Sequence, residues 1–450
     1  MLISRRRPKA SRLLICELES RETPSHTAAI GGFTSLEGDE GTPIELTSEV
    51  VGATAPTYEW SVTKDGDPFA SDTTQDFTFT PDDNGTYEVT LTVTDGDHSD
   101  SDSQMFTIAN VPPTVSISGP NVGVPGMPLP YTLNVSDPSS VDMAEGFTFK
   151  VDWNNDAIID DTFVGPSGTV VTHTYTTLGA NTIVVTAMDK DDDTSAPATF
   201  NVEIRTAALI DDPLNPNKKL LAVGGTEGDD KILLNPAGSS GRINVFVGAK
   251  RVGTFGLAQR IAVYGLGGND NIQLAGSLRI PAWLDGGDGN DRLKGAKGND
   301  VLRGGPGDDQ MNGAQGHDVL IGGIGADHMV GGPGDDLMIG GTTAYDNDEA
   351  DLLAISTAWG GAGTVAARVN ALQTSATVPL VLGGADATVF DDDAVDRLGG
   401  AAGGAWIFAD PTQDAFNGKA KGVLVNDVTA VAVSVGNGHG QGNGKGNGKK

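Results

Sequence analysis

Residues 286–339 divide into six consecutive units of nine: GGDGNDRLK, GAKGNDVLR, GGPGDDQMN, GAQGHDVLI, GGIGADHMV and GGPGDDLMI. The sixth position is always aspartate (Asp291, Asp300, Asp309, Asp318, Asp327, Asp336). The eighth is always apolar (Leu293, Leu302, Met311, Leu320, Met329, Met338). Glycine opens every unit (Gly286, Gly295, Gly304, Gly313, Gly322, Gly331) and holds every fourth position (Gly289, Gly298, Gly307, Gly316, Gly325, Gly334). It also takes the second position in four units (Gly287, Gly305, Gly323, Gly332). Glycine at this density carries a heavy backbone-entropy cost on folding. One apolar side chain per nine residues cannot form a core alone, but stacked turns make the inward row continuous.

This array resembles the RTX, or hemolysin-type, calcium-binding repeat, whose nonapeptide winds a parallel β-helix. The residues themselves support a similar account. Two units complete one coil, each supplying a strand to one of two facing sheets. Aspartates eighteen apart then share an edge: Asp291, Asp309 and Asp327 on one, Asp300, Asp318 and Asp336 on the other. Strands about 4.8 Å apart bring these carboxylates close, and like charges so placed push protons on. A cation between each pair removes the repulsion. Calcium accepts six to eight oxygens, carboxylate and carbonyl alike, whereas magnesium demands a tighter octahedron. The expected ligands are the six aspartates together with the glycine loops, whose carbonyls are free to point at the ion, and the expected cofactor is Ca2+. His317 and His328 have no zinc spacing and read as surface residues.

Weaker units precede the array: TEGDDKI over 226–232, with Asp230 and Ile232, and GLGGNDNI over 265–272, with Asp270 and Ile272. With the strand-like stretches 242–248 and 260–267, they either extend the roll or cap its entry.

The 60 acidic and 29 basic residues leave a net charge of -31. That balance disfavours a nucleic-acid partner, which requires a basic surface, and favours cations. The single cysteine, Cys16, rules out an intrachain disulfide, and bound metal is one alternative staple. No apolar run is long enough to span a membrane. In the basic N-terminal stretch, the run LLIC is too short for an ordinary signal-peptide core. LESRETP at 18–24 resembles a motif near the N-termini of planctomycete surface proteins.

Ahead of the array the pattern has period two. In YEVTLTVTD, 87–95, Tyr87, Val89, Leu91 and Val93 share one face, as in a half-buried strand. A similar strand returns at 179–189, about 94 residues later, with Ile183, Val185 and Ala187 on one face. Two immunoglobulin-like sandwiches fit this spacing, and VPP at 111–113 suits the boundary. YEW at 58–60 and GTYEVTLTVTD at 85–95 resemble the PKD domain. The second copy carries VDWNND at 151–156 and Asn181 in the tyrosine position. The resemblance implies extracellular spacer or adhesion modules. Trp60 and Trp153 are expected in the cores. The acidic loop 152–161 lacks EF-hand spacing and reads as an inter-strand loop.

The expected fold class is all-β: two immunoglobulin-like (PKD-like) β-sandwiches followed by a parallel β-roll with a mixed α/β C-terminal cap. The expected segments are a basic stretch (1–27), sandwiches over 28–110 and 111–206, and an irregular entry to the roll (220–284). The calcium-binding roll (285–341), a capping region (345–432) and a flexible Gly/Lys tail (433–450) follow. Within the cap, helical spacing runs over 347–359 and 365–372. VDRLGGAAGGAW, 395–406, resembles a cap core, with Trp406, Ile407 and Phe408 closing the solenoid. Its glycines are spaced more loosely, so Asp396 is not counted as a ligand. No Gly-x-Ser-x-Gly elbow or His-Glu-x-x-His helix is present, and no enzyme is expected. The expected function is calcium binding by a secreted or cell-surface structural and adhesion protein, with surface polysaccharide or protein as partner. The alternative is a carbohydrate-binding module or carbohydrate-active hydrolase.

Overall fold

The computed structural model describes residues 26–382, 385–399, 403–416 and 423–427. The expectations for the basic stretch ahead of His26 and for the tail lie outside the described residues.

The first sandwich faces a five-stranded sheet with a three-stranded one. The larger sheet runs in the order Glu37–Asp39, His98–Ala109, Gly85–Asp95, Thr57–Lys64, Asp67–Asp72. The smaller comprises Thr27–Gly31, Ile44–Val51 and Phe77–Phe79. Strict alternation in Gly85–Asp95 buries Tyr87, Val89, Leu91 and Val93 against Trp60. The Tyr87 hydroxyl reaches back to Asp82 Oδ1 at 2.8 Å and the Asp83 carbonyl at 2.9 Å, the corner tyrosine of such sandwiches.

The second sandwich repeats the five-and-three arrangement. Trp153, Tyr131 and Phe149 fill its core beside Ile183, Val185 and Ala187. Asn181 makes no corner; Tyr175 is buried instead and donates to the Trp153 carbonyl at 3.0 Å. In the loop 152–161 the Asp152 carboxylate accepts four nearby backbone N–H groups, from Asn154, Asn155, Asp156 and Ala157. That carboxylate organises its own turn.

Beyond residue 206 the chain winds a roll of two nine-stranded sheets. Alternate units feed alternate sheets. Leu293 pairs with Met311 and Met311 with Met329 in one; Leu302 pairs with Leu320 and Leu320 with Met338 in the other. These side chains meet in one buried row. The entry segment belongs to the same sheets: Ile232 pairs with Ile272, and Ile272 with Leu293. Antiparallel pairing of Ala207–Asp212 with Asn215–Thr226, and of Ile243–Val247 with Lys250–Phe255, covers the entry edges, where open strands would leave backbone groups unpaired.

The C-terminal segment is mixed α/β, and its strands lie at the far end of both sheets of the roll. They are further turns of it. His328 pairs with Arg397 and Asp336 with Ala405, so the coil resumes after a helical insertion. Ile407 pairs with Met338 and joins the inner row, while Trp406 and Phe408 face outward. The insertion carries α1 (Glu349–Trp359), whose N-cap Asp348 accepts from the Ala350 and Asp351 amides, and α2 (Val365–Gln373). Both helices lie on the outer face of one sheet. There Val301, Val319, Ile321, Leu337 and Ile339 meet Leu352, Ile355, Trp359 and Leu372. Trp359 lies 6.1 Å from Trp406 between ring centroids and donates to the Asp335 carbonyl at 2.8 Å. Arg260, bound to Asp212 at 2.6 Å, also pairs with Glu349 at the start of α1. One sheet is therefore buried on both faces. The other keeps a polar outer face, with Arg292, Lys294, Gln310, Asn312 and His328 exposed.

Candidate metal centre

Each six-residue turn of the array ends in its aspartate, so stacking places the aspartates of alternate units one above another. The Asp291 amide donates to Asp309 Oδ1 at 2.7 Å, and the Asp309 amide to Asp327 Oδ1 at 2.8 Å. On the opposite edge the Asp300 amide donates to Asp318 Oδ1 at 2.9 Å and the Asp318 amide to Asp336 Oδ1 at 3.1 Å. The spacing is eighteen residues throughout. Both edges hold the expected trios.

The second carboxylate oxygens behave differently. Oδ2 of Asp291, Asp309, Asp318 and Asp327 is buried and has no hydrogen-bond partner. An orphaned buried charge is expensive. The opening glycines show where these atoms point. A Cβ on Gly304 would lie 2.1 Å from Asp309 Oδ2 and 2.4 Å from the Gly322 carbonyl oxygen. Oxygens of two successive coils thus line one small space that only glycine leaves open. The same pairing recurs at Gly286, Gly295, Gly313 and Gly322, each beside its own unit's Oδ2 and the carbonyl of the glycine eighteen residues on; Gly331 lies beside Asp336 Oδ2. The cradle combines one carboxylate with backbone carbonyls, and is not the gap between two facing carboxylates anticipated above. That donor set suits a hard cation of flexible coordination.

The remaining glycines serve a different purpose. Gly305 has φ of 113°, and a Cβ there would come 2.1 Å from the Gly287 carbonyl oxygen. Gly287, Gly323 and Gly332, with Gly289, Gly298, Gly307, Gly316, Gly325 and Gly334, likewise press on a carbonyl of the coil before. They permit close stacking, while the opening glycines face the carboxylate oxygens.

Burial holds these carboxyls well above the ordinary range. It raises Asp309 and Asp318 to about 8 and Asp327 to about 9, with neighbouring carboxylates adding a smaller push. Asp336 rises to about 7, and Asp291 and Asp300 to about 6. Desolvation is thus the main cause, ahead of the like-charge repulsion expected from spacing alone.

Three aspartates outside the array, Asp230, Asp270 and Asp396, share the arrangement. The Asp230 amide donates to Asp270 Oδ1 at 2.7 Å, and a Cβ on Gly225 would lie 2.9 Å from Asp230 Oδ2. The Asp270 amide donates to Asp291 Oδ1 at 2.7 Å, and a Cβ on Gly265 would lie 2.2 Å from Asp270 Oδ2. Asp396 Oδ1 accepts from the Asp327 amide at 2.8 Å, and its Oδ2 lies 2.2 Å from a Cβ on Gly340. The shared signal is Asp-x-apolar, as in Asp396 and Leu398, which the helical insertion displaces from the nine-residue frame. His328 is exposed. His317 is tied into the stack, accepting on Nδ1 from the Asp335 amide at 3.2 Å.

Filling one cradle should remove one ion. Gly304→Ala is expected to lose a calcium equivalent in a calorimetric titration, and to cost about 1–3 kcal/mol from overpacking alone. Gly276→Ala, where a Cβ meets nothing within 4 Å, is the control and should change neither.

Comparison with known proteins agrees with this geometry. The family described as "RTX calcium-binding nonapeptide repeat (4 copies)" matches residues 285–320 and 313–342. The PKD domain family matches residues 34–108. No curated protein matches the chain. Among solved structures, the PKD domain of an M14-like peptidase from Thermoplasmatales archaeon SCGC AB-540-F20 is similar at 21% identity. The match covers 21% of this chain and 98% of that one, with a TM-score of 0.19. Fibronectin(III)-like modules of Clostridium thermocellum CbhA are similar at 19% identity, over 38% of this chain and 88% of theirs, with a TM-score of 0.19. The chain therefore carries RTX-type calcium-binding repeats and an N-terminal PKD-like domain, and calcium is its cofactor. This architecture is typical of secreted or cell-surface proteins. Among the described residues no helix is long and apolar enough to cross a membrane.

Proposed function

We propose that the protein is a non-catalytic, calcium-stiffened adhesion module that folds its roll on binding calcium and holds a surface polysaccharide. The carrying observation is the ladder of buried, unpartnered Oδ2 atoms at Asp291, Asp309, Asp318 and Asp327. Calcium at the cradles would receive its oxygens from these aspartates and from the glycine carbonyls beside them. It would take the place of the protons that burial otherwise keeps on these carboxyls.

The polysaccharide reading is supported by the polar sheet face. Arg292, Gln310 and His328 stand in one row, and Lys294 and Asn312 in the next, on successive parallel strands. Such a flat, hydrogen-bonding strip exists only while the roll is wound. A polysaccharide array probed with and without chelator tests this. Binding that needs calcium, with no sugar released, is the expected result, and Lys294→Ala with Asn312→Ala should weaken it. Release of shortened glycans would favour the carbohydrate-active hydrolase instead. Binding unchanged by chelator would separate the partner from the roll.

A further inference from the structure

A second cluster of carboxylates lies far from the roll, at the joint between the sandwiches. Glu40 follows the edge strand Glu37–Asp39 of the first sandwich. Asp137 follows Pro128–Ser136 of the second, and Asp142 lies in the short helix Ser140–Glu145. One oxygen from each lies within 4.8 Å of the other two.

The hydrogen bonding is half complete. Glu40 Oε1 accepts from the Val111 amide at 2.8 Å, and Asp137 Oδ1 from the Ser139 amide at 2.8 Å. Glu40 Oε2, Asp137 Oδ2 and both oxygens of Asp142 are buried without a hydrogen-bond partner. Glu40 is 1% exposed and Asp142 is 0% exposed. Among the described residues Lys190 is the cation paired with this cluster, its Nζ 3.6 Å from Asp142 Oδ1, while Lys64 is bound to Asp83 at 2.9 Å. Lys190 also binds Asp83 at 2.8 Å and pairs with Asp191. A single lysine so committed does not neutralise three more carboxylates. Burying such a group unpaired is strongly unfavourable.

We propose that Glu40, Asp137 and Asp142 bind a calcium ion that locks the two sandwiches together. Unpartnered carboxylate oxygens converge there from both domains. Calcium's loose coordination shell accepts carboxylates of irregular placement and completes itself with water, whereas magnesium demands a near-ideal octahedron. The ion would bridge the same joint that Ser139 Oγ already spans, donating to the Asp82 carbonyl at 2.9 Å. This site is independent of the roll.

Hydrogen exchange on the full chain tests it, comparing millimolar calcium, the range of extracellular modules, with chelator and with equal magnesium. Peptides over 36–44 and 136–146 should exchange about tenfold more slowly once calcium exceeds its Kd about tenfold. Magnesium should give less protection. Asp142→Asn and Glu40→Gln should each abolish the response at the joint while peptides over 286–340 still respond. Wild-type joint peptides that ignore calcium would overturn the proposal, and so would equal protection by magnesium or a response undiminished in both variants. The roll peptides report separately. A silent roll with a responsive joint would sink the folding-on-calcium reading and leave this one standing.

Discussion

Removing calcium should unwind the array while both sandwiches stay folded. On chelation, far-ultraviolet circular dichroism is expected to lose β signal, and amides over 286–340 to lose protection. Amides in Gly85–Asp95 should keep theirs, because that strand is fixed by its own core. The magnitude follows from linkage. A site held at a hundred times its Kd contributes about 2.7 kcal/mol, since the unfolded chain has no assembled cradle. Several such sites together match the whole stability of a typical domain, about 5–15 kcal/mol. Against this, the array has one inner apolar residue per nine, and only one of its two sheets is covered by helices. Unwinding should spread from the exposed sheet, where Arg292–Lys294, Gln310–Asn312 and His328–Val330 are three residues each. Full protection of the array under chelator, with no ion taken up on return, would refute the coupling of calcium to folding.

What the sequence reveals depends on whether a signal survives in a fixed frame. The eighteen-residue coil could be read because Asp and an apolar residue recur in register through six units. The covered face was equally present but harder to see. Val301, Val319 and Leu337 occupy the seventh position in alternate units, where Arg292, Gln310 and His328 stand in the others. A period of eighteen in polarity marks which sheet is buried twice, and a nine-residue alignment averages it away. Asp396 was set aside on its loosened glycine spacing, and the helices inserted after Thr343, which put sixty-nine residues between it and Asp327, hid that the two are neighbours in space. The joint cluster leaves no local trace at all. Glu40 and Asp142 come from different domains, and only folding brings them together. The direction in which each Asp points was also beyond reach. Spacing placed carboxylates on an edge, but that one oxygen caps an amide while the other faces glycine depends on side-chain rotamers.

Those orientations give the array a pH dependence opposite to that of most folded carboxylates. In the calcium-free roll Asp309 and Asp318 are held up to about 8 and Asp327 to about 9, chiefly by burial. The unfolded chain releases the same protons near the ordinary value of about 3.9. Between these limits the native state binds more protons, so its stability falls as pH rises, and is fully retained only below the unfolded value. Acid should therefore hold the calcium-free array together, and mild alkali should loosen it. Calcium reverses the order, because it binds the carboxylate and must displace the proton. Where one proton leaves a group titrating near 8, affinity should fall by about tenfold per pH unit well below that value, or about fiftyfold between pH 8 and pH 6. Calorimetric titrations in buffers of different ionisation heat would count the protons released. The calcium-bound array should then be more stable at the higher pH and the calcium-free array at the lower one. Equal affinities across that interval, with no proton released, would mean that the carboxylates are already ionised before calcium arrives, and that a route for water to the Oδ2 atoms exists in the free roll.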